Sequence, residues 1–380
     1  MMGSARDYAV LQVLPRLETG GVEQVVVELT EAVARTGARA LVAAAPGRLV
    51  TQVERAGGHF RALPLDTRNP LSRRANTSRL IKLIKAERIS LIHAHSRAPA
   101  FAAREAAAAC GIPFVTTYHG AYSESGKLKR AYNSVMASGQ RVLAVSEYIA
   151  GLVRERHDVG PDRLRVVPGG VDPARFDPEA IHETRMIRFA QEWRLIDGAP
   201  TIMLPARLTA WKGQGVMIDA LAKLRHRDAL LLLVGGAQGR TDYVRSLWQA
   251  ADRAGVAHRI RMIGDCTDMP AAYKLADVVV NASTDPEAFG RTIVEAQAMR
   301  RLVIATDHGA ARETIREGET GWRTKPGDAE DLAATIDRAL DMDIPARMAM
   351  GAAARDFVAT HYSIAAMQAG NLAAYHELLG

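Results

Sequence analysis

Two glutamates, Glu287 and Glu295, enclose the stretch Ala288-Phe289-Gly290-Arg291-Thr292-Ile293-Val294. The segment follows an apolar strand at 278–281 and opens a helix whose first turn is expected at 289–292. Backbone N–H groups at such an opening can hold a phosphate or sugar hydroxyls. A pair of acids is a common accident on helices, so spacing alone says little. Joined to Gly290 and the strand before it, the pair says more. A second constellation is Arg207-Leu208-Thr209-Ala210-Trp211-Lys212-Gly213, directly after a strand at 201–204. Arg offers phosphate oxygens a planar fork and Lys a point charge, so together they can neutralise a diphosphate leaving group. Taken alone, both would read as solvated surface charges. Their place at a strand's carboxyl end favours chemistry.

A third site is Glu18-Thr19-Gly20-Gly21, a loop running straight into a helix. Two glycines there let backbone N–H groups approach an anion, which the helix dipole also favours. A plain tight turn explains the same residues equally well. The run Gly20-Gly21-Val22-Glu23-Gln24-Val25 lacks the G-x-G-x-x-G spacing, which disfavours a nicotinamide dinucleotide. His119 ends a strand at 114–117, where a structural histidine is the competing reading. Ile263 and Gly264 also close a strand.

These residues need elements that bring strand ends together. Strands are expected at 8–14, 40–44, 91–95, 114–117 and 141–145, separated by helices at 22–35, 78–86, 98–109 and 147–156. After the turn-forming cluster Pro168, Gly169, Gly170, Asp172 and Pro173 the alternation resumes. Its strands are at 201–204, 230–234, 260–263, 278–281 and 302–306, with helices at 214–224, 243–254, 292–299 and 329–340. Strand–helix alternation means parallel sheets covered on both faces, with ligands at the carboxyl ends of strands. At 380 residues two domains are expected: a first over 1–172, joined by a final helix at 363–380, and a second over 173–362.

Hydrophobic content of 48% and charged content of 24% fit a folded globular chain and exclude disorder. The start carries no long apolar leader, and the most apolar later stretch, 229–236, is too short to cross a bilayer. A cytoplasmic protein is expected, with peripheral attachment at the inner membrane open. Cys110 and Cys266 have no metal-like spacing and read as structural thiols. The net charge of +7 is uneven: residues 1–172 carry +9 and the remainder −2. A basic first half suits an anionic partner. No RNA- or DNA-binding motif accompanies the charge, so nucleic acid is not expected. Arg79, Lys82 and Lys85 have the spacing of any exposed helix face. Lys127, Lys129 and Arg130, followed by Tyr132, Val135 and Met136, form a short basic amphipathic stretch that could rest on anionic lipid or be a solvated face.

Together these motifs resemble the retaining glycosyltransferases of family 4, glycosyl transferases group 1. Glu287 and Glu295 match that family's Glu, seven residues, Glu pattern. Arg207-Leu208 with Lys212-Gly213, Gly20-Gly21, Thr117-Tyr118-His119-Gly120 and Pro168-Gly169-Gly170-Val171-Asp172 follow in its order, over residues 10 to 325. Each motif is weak and the set is specific. Gly169 stands where the family usually has Asn, Ala206 where Gly is common, and Arg291 where an apolar residue is common.

The resemblance implies an α/β fold of the GT-B kind: two facing Rossmann-like domains, a cleft between them, and a C-terminal helix crossing back to the first. It implies that Arg207 and Lys212 stabilise a departing diphosphate and that Glu295 holds a ribose. Glu287 takes hydroxyls of the donor sugar, with the backbone amides of Phe289 and Gly290. His119 reaches that sugar from the first domain, and Ile263 and Gly264 present backbone to the nucleobase. The implied donor is a nucleotide-diphosphate sugar, UDP before GDP or ADP. The implied acceptor is a glycan or lipid-linked glycan, with lipopolysaccharide or another envelope glycan leading. No Asp-x-Asp site stands at a comparable strand end, so no cofactor and no divalent metal is expected. A sugar-nucleotide 2-epimerase and a non-catalytic sugar-nucleotide binder are the alternatives.

Overall fold

A computed structural model describes residues 8–18, 20–67, 69–124 and 126–380. The chain forms two compact units, one of residues up to Gly169 together with Ile364–Gly380, the other Gly170–Ser363.

The first unit is built on β1 (Ala9–Arg16), β2 (Arg39–Ala45), β3 (His59–Ala62), β4 (Leu91–Ala94), β5 (Phe114–Tyr118), β6 (Arg141–Ala144) and β7 (Leu164–Val166). They form one parallel sheet in the order β3-β2-β1-β4-β5-β6-β7. The second unit has β8 (Thr201–Pro205), β9 (Leu230–Val234), β10 (Ile260–Gly264), β11 (Val278–Asn281), β12 (Leu302–Thr306) and β13 (Trp322–Thr324). Their order is β10-β9-β8-β11-β12-β13. In register, Met203 of β8 lies between Leu232 of β9 and Val279 of β11. The central strands are buried on both faces, which is why they read as continuous apolar runs such as Leu230-Leu231-Leu232-Leu233-Val234.

Helices cover both sheets and start where the sequence supplies caps. Asn69 accepts from Leu71 N–H at 2.9 Å ahead of the Pro70–Ala86 helix. Ser146 accepts from Ile149 N–H at 3.1 Å ahead of Glu147–His157. Each side chain satisfies an N–H that the helix leaves unpaired. The last helix, Ile364–Leu379, belongs to the first unit. Its Met367, Ala374 and Tyr375 share a core with Val10, Leu29, Val33, Leu91, Val115 and Leu143. Gln368 fastens it, donating to Glu28 O at 2.7 Å and accepting from Arg35 at 2.7 Å. Glu377 receives Arg141 at 2.6 Å and Arg165 at 3.0 Å.

Three strands were not anticipated by the sequence reading: β3, β7 and β13. All three are sheet edges. The helix Ile344–His361 was also not anticipated.

Candidate active site

The second sheet reverses its winding at β8. The chain proceeds outward through β9 and β10 on one side, then returns to β11, β12 and β13 on the other. The loops leaving β8 and β11 therefore flank the place where parallel sheets accept ligands. Those loops, 206–213 and 282–290, are locked together. Thr284 N–H donates to Trp211 O at 2.7 Å. Gly213 has φ 73° and sits so close to the end of β11 that a Cβ there would stand 1.8 Å from Ala282 O. Only glycine fits that position. Beneath the loop, buried Gln214 donates to Arg207 O at 2.9 Å and accepts from Tyr243 OH at 3.0 Å.

The fixed loops bring two predicted residues into contact. Lys212 Nζ donates to Glu287 Oε1, with side-chain exposures of only 16% and 12%. The same oxygen accepts from Ser283 Oγ at 2.6 Å and Asn281 Nδ2 at 3.4 Å. These extra bonds offset the cost of desolvating an ion pair. The Lys212 ammonium also lies 4.0 Å from the Trp211 ring centroid, a cation–π contact. Arg207 differs: it is exposed, and no carboxylate is paired with it among the described residues. The loop thus offers one anchored cation and one uncompensated cation.

The helix after Glu287 begins later than expected. It spans Arg291–Ala298, and Gly290 precedes it in the left-handed region at φ 82°. Phe289 and Gly290 therefore lie before the helix, not in its first turn, because the left-handed residue interrupts the helical path. Their backbone N–H groups have no acceptor among the described residues. The Phe289 side chain is buried against Tyr362, ring centroids 5.6 Å apart. Within the helix, Glu295 accepts from Tyr273 OH at 3.1 Å and lies 3.5 Å from Arg291 Nε. Burial and the Glu295 charge push the Tyr273 phenol well above its ordinary pKa, so it remains a donor. Ile263 and Gly264 end β10, two strands from β8, about 10 Å along the carboxyl edge at ordinary strand spacing.

In the first unit, Gly20 precedes the Gly21–Arg35 helix in extended conformation, φ 171°. The Glu23 carboxylate lies against it, since a Cβ on Gly20 would stand 2.4 Å from Glu23 Oε2. An anion at Gly20 and Gly21 would have to displace that carboxylate. Thr19 lies outside the described residues. His119 follows β5, and its Nε2 is 3.0 Å from Nδ1 of His95, which follows β4. His95 also packs against His93, ring centroids 4.0 Å apart and planes tilted by 38°. Burial holds the His119 imidazole at a pKa of about 3. Burial, reinforced by the neighbouring imidazoles, puts His93 and His95 well below the usual range. All three rings are neutral at neutral pH.

The sequence profile described as Glycosyltransferase Family 4 matches residues 19–175, and that described as Glycosyl transferases group 1 matches residues 187–357. A solved glycosyltransferase from Rickettsia africae is 32% identical with a TM-score of 0.90, covering 98% of this chain and 99% of that one. The chain belongs to the family 4, group 1 glycosyltransferases of GT-B fold. Anabaena HepE in complex with UDP and glucose has a TM-score of 0.87 over 97% of this chain and 99% of that one; at 23% identity this likeness speaks for the fold. A D-inositol 3-phosphate glycosyltransferase of Salinispora arenicola is 32% identical over 229 residues, 57% of this chain. The chain spans about half the length of that curated relative, 51%.

The sequence reading missed the partners of the site residues. Ser283 and Asn281 hold Glu287, Tyr273 holds Glu295, and His95 holds His119. His93 and His95 carried a usable signal: alternate residues at the end of a strand, one position from the sheet's winding reversal. The basic stretch needs a correction. Lys127, Lys129 and Arg130 are exposed, but Val135 and Met136 are 1% and 0% exposed and fill the unit's own core. Leu128, 89% exposed, is the apolar side chain that faces outward. The same region borders a cavity of about 1110 Å³ lined by Lys127, Arg130, Arg141, Arg156 and Arg163 among others. It adjoins the start of β6, the edge opposite His119. No helix among the described residues is long and apolar enough to cross a membrane. No group of three or more His, Cys, Asp or Glu side chains among them is arranged to hold a metal ion.

Proposed function

We propose that this chain transfers a sugar, with retention of anomeric configuration, from a nucleoside diphosphate donor to a glycan or lipid-linked acceptor. The observation that carries the reading is the pairing, on one loop at the end of β8, of exposed and uncompensated Arg207 with carboxylate-anchored Lys212. Arg207 takes the diphosphate and Lys212 stabilises its growing charge as the glycosidic bond breaks, which is electrostatic catalysis at the leaving group. Glu287 uses its second oxygen, Oε2, for hydroxyls of the transferred sugar, since the bonds on Oε1 are already made. The free N–H groups of Phe289 and Gly290 assist it. Glu295 receives the ribose hydroxyls. Ile263 and Gly264 supply backbone to the base. In the first unit, His119 hydrogen-bonds a sugar hydroxyl brought to the carboxyl edge of β5.

Retention follows from attack on the face the diphosphate is leaving. A donor phosphate oxygen accepts the acceptor's proton and an oxocarbenium-like ion pair forms between, without a covalent carboxylate intermediate of the glycosidase kind. No divalent ion takes part in this scheme. UDP is the first choice of nucleotide, supported by the HepE complex of like fold. The acceptor belongs to envelope glycan synthesis, and the exposed Lys127, Leu128, Lys129 and Arg130 rest on an anionic membrane surface on the cytoplasmic side.

Arg207→Ala is the clean test, because removing an exposed, unpaired side chain costs the fold within about 0.5 kcal/mol. Turnover of the donor should fall roughly 100-fold or more, as when one preorganised stabiliser of transition-state charge is deleted. Donors are first screened by thermal shift with UDP, GDP and ADP and their sugars. Unchanged turnover in Arg207→Ala would refute the assignment, and an inverted anomeric proton signal in the product would refute retention.

A further inference from the structure

The hydrogen bonds at the carboxyl edge of the first sheet assign His119 one working nitrogen. His119 Nε2 is occupied by His95 Nδ1 at 3.0 Å. The His119 side chain is partly exposed, and its Nδ1 has no partner among the described residues. A ligand therefore meets His119 through Nδ1.

The proton on that nitrogen is set from behind. Two neutral imidazoles joined nitrogen to nitrogen share one proton, so either His95 Nδ1–H donates or His119 Nε2–H does. In the second case His95 carries its own proton on Nε2. That atom is buried and has no hydrogen-bond partner among the described residues, and the residue is 1% exposed. A buried N–H without an acceptor is among the rarest features of folded chains. In the first case the same atom is a bare lone pair with no proton to place. His95 is buried and its ring is packed against His93, centroids 4.0 Å apart and planes tilted by 38°, which holds it in place. The His93 ring is in turn held at both nitrogens, by Tyr375 OH and Thr117 Oγ1, each at 2.7 Å.

We infer that His95 is a positioning residue: it donates Nδ1–H to His119 Nε2 and so makes His119 Nδ1–H a fixed donor to an uncharged sugar hydroxyl. The role of His119 toward a sugar rests on the function proposed above. The tautomer does not. The low pKa values of both rings keep the pair neutral, as the argument requires.

Nitrogen-15 NMR of the histidine side chains in the full, ligand-free protein tests the tautomer directly. His119 should show a pyrrole-type Nδ1 and a pyridine-type Nε2; the reverse pattern overturns the inference. His95→Leu removes the donor. It should lower kcat/KM roughly tenfold, the value of one hydrogen bond, and it should abolish the single-tautomer pattern at His119. In a His119→Ala background the same change should have no further effect, because a residue acting through another is non-additive with it. Full additivity would overturn the positioning role. A correct NMR pattern in a protein that transfers no sugar would sink the proposed function and leave the tautomer standing.

Discussion

Lowering the pH from 7.5 to 5.5 should destabilise the first unit far more than the second. His93 and His95 are held well below the ordinary imidazole pKa and His119 at about 3, in each case chiefly by burial. Unfolded, each titrates near 6.5. The sign follows from proton uptake: between about pH 6.5 and the folded pKa values the unfolded chain binds more protons, so stability is complete above 6.5 and falls as the pH drops. For His119, at about 3 folded and about 6.5 unfolded, the loss between pH 7.5 and 5.5 is about 1.4 kcal/mol, and His93 and His95 act in the same direction. Against an ordinary domain's stability even one such ring is measurable. The four tryptophans, Trp193, Trp211, Trp248 and Trp322, all lie in the second unit, so their fluorescence follows that unit alone. Hydrogen exchange at the amides of β1, β4 and β5 follows the first. Urea unfolding at both pH values should show the exchange-derived free energy falling by at least about 1.4 kcal/mol, with the tryptophan midpoint moving less. His95→Leu should make the first-unit free energy less steep in pH, because one imidazole with a lowered pKa is gone. A first unit indifferent to pH across this range would show that the rings are already charged when folded, and the tautomer argument would fall with it.

Gly213→Ala should destabilise the second unit by about 3 kcal/mol or more, because a Cβ at φ 73° meets Ala282 O at 1.8 Å; a tryptophan-monitored midpoint within error of wild type would contradict the packing. Tyr375→Phe should cost about 1–3 kcal/mol by leaving His93 Nδ1 buried without its 2.7 Å partner, read as faster exchange in β4. If the cationic loop serves in place of a metal, turnover in excess chelator should equal that without it, and loss of activity restored by magnesium or manganese would refute the scheme. Sedimentation with anionic vesicles should carry the protein down and neutral vesicles should not; Lys127→Glu with Lys129→Glu should abolish it, while equal recovery in all supernatants would count against the membrane surface.

What the sequence disclosed depended on burial. The central strands β1, β4, β8, β9 and β11 are covered on both faces, so their apolar runs stand out and their ends are legible to within a residue or two. The edges β3, β7 and β13 escape notice because they are only three or four residues long, whereas the remaining edge, β10, has five residues and is legible. His59-Phe60-Arg61-Ala62 carries as many polar as apolar residues, and Leu164-Arg165-Val166 offers only two apolar residues about an arginine. The Ile344–His361 helix is rich in alanine and methionine and shows little contrast between faces. At the site, motif spacing pointed to Lys212 and Glu287, and the fold brings them into contact. Spacing could not reveal Ser283, Asn281, Tyr273 or His95 as their supports, since those contacts exist only once separate strand ends lie side by side. Nor could it show that Val135 and Met136 turn inward, because a basic helix followed by apolar residues has the same pattern whether the apolar part seeks lipid or core.

The proposed function asks different charge states of the two units, for a physical reason. A diphosphate gains negative charge as it leaves, so the proposed donor site needs cations that persist at neutral pH. Lys212 is paired with Glu287, itself held by Ser283 and Asn281, and that pairing offsets the desolvation of the two charges. Arg207 needs no such help, being exposed. A sugar hydroxyl gains little charge, and a cation beside it would be solvated at a cost with nothing to balance it. The first unit answers with imidazoles kept neutral by burial and by one another. A charged His119 would demand a counterion, and the His95 ring whose nitrogen lies 3.0 Å away carries no negative charge to supply one. The same burial that makes the cluster vulnerable to acid is what makes it a neutral donor at the pH where the enzyme is proposed to work.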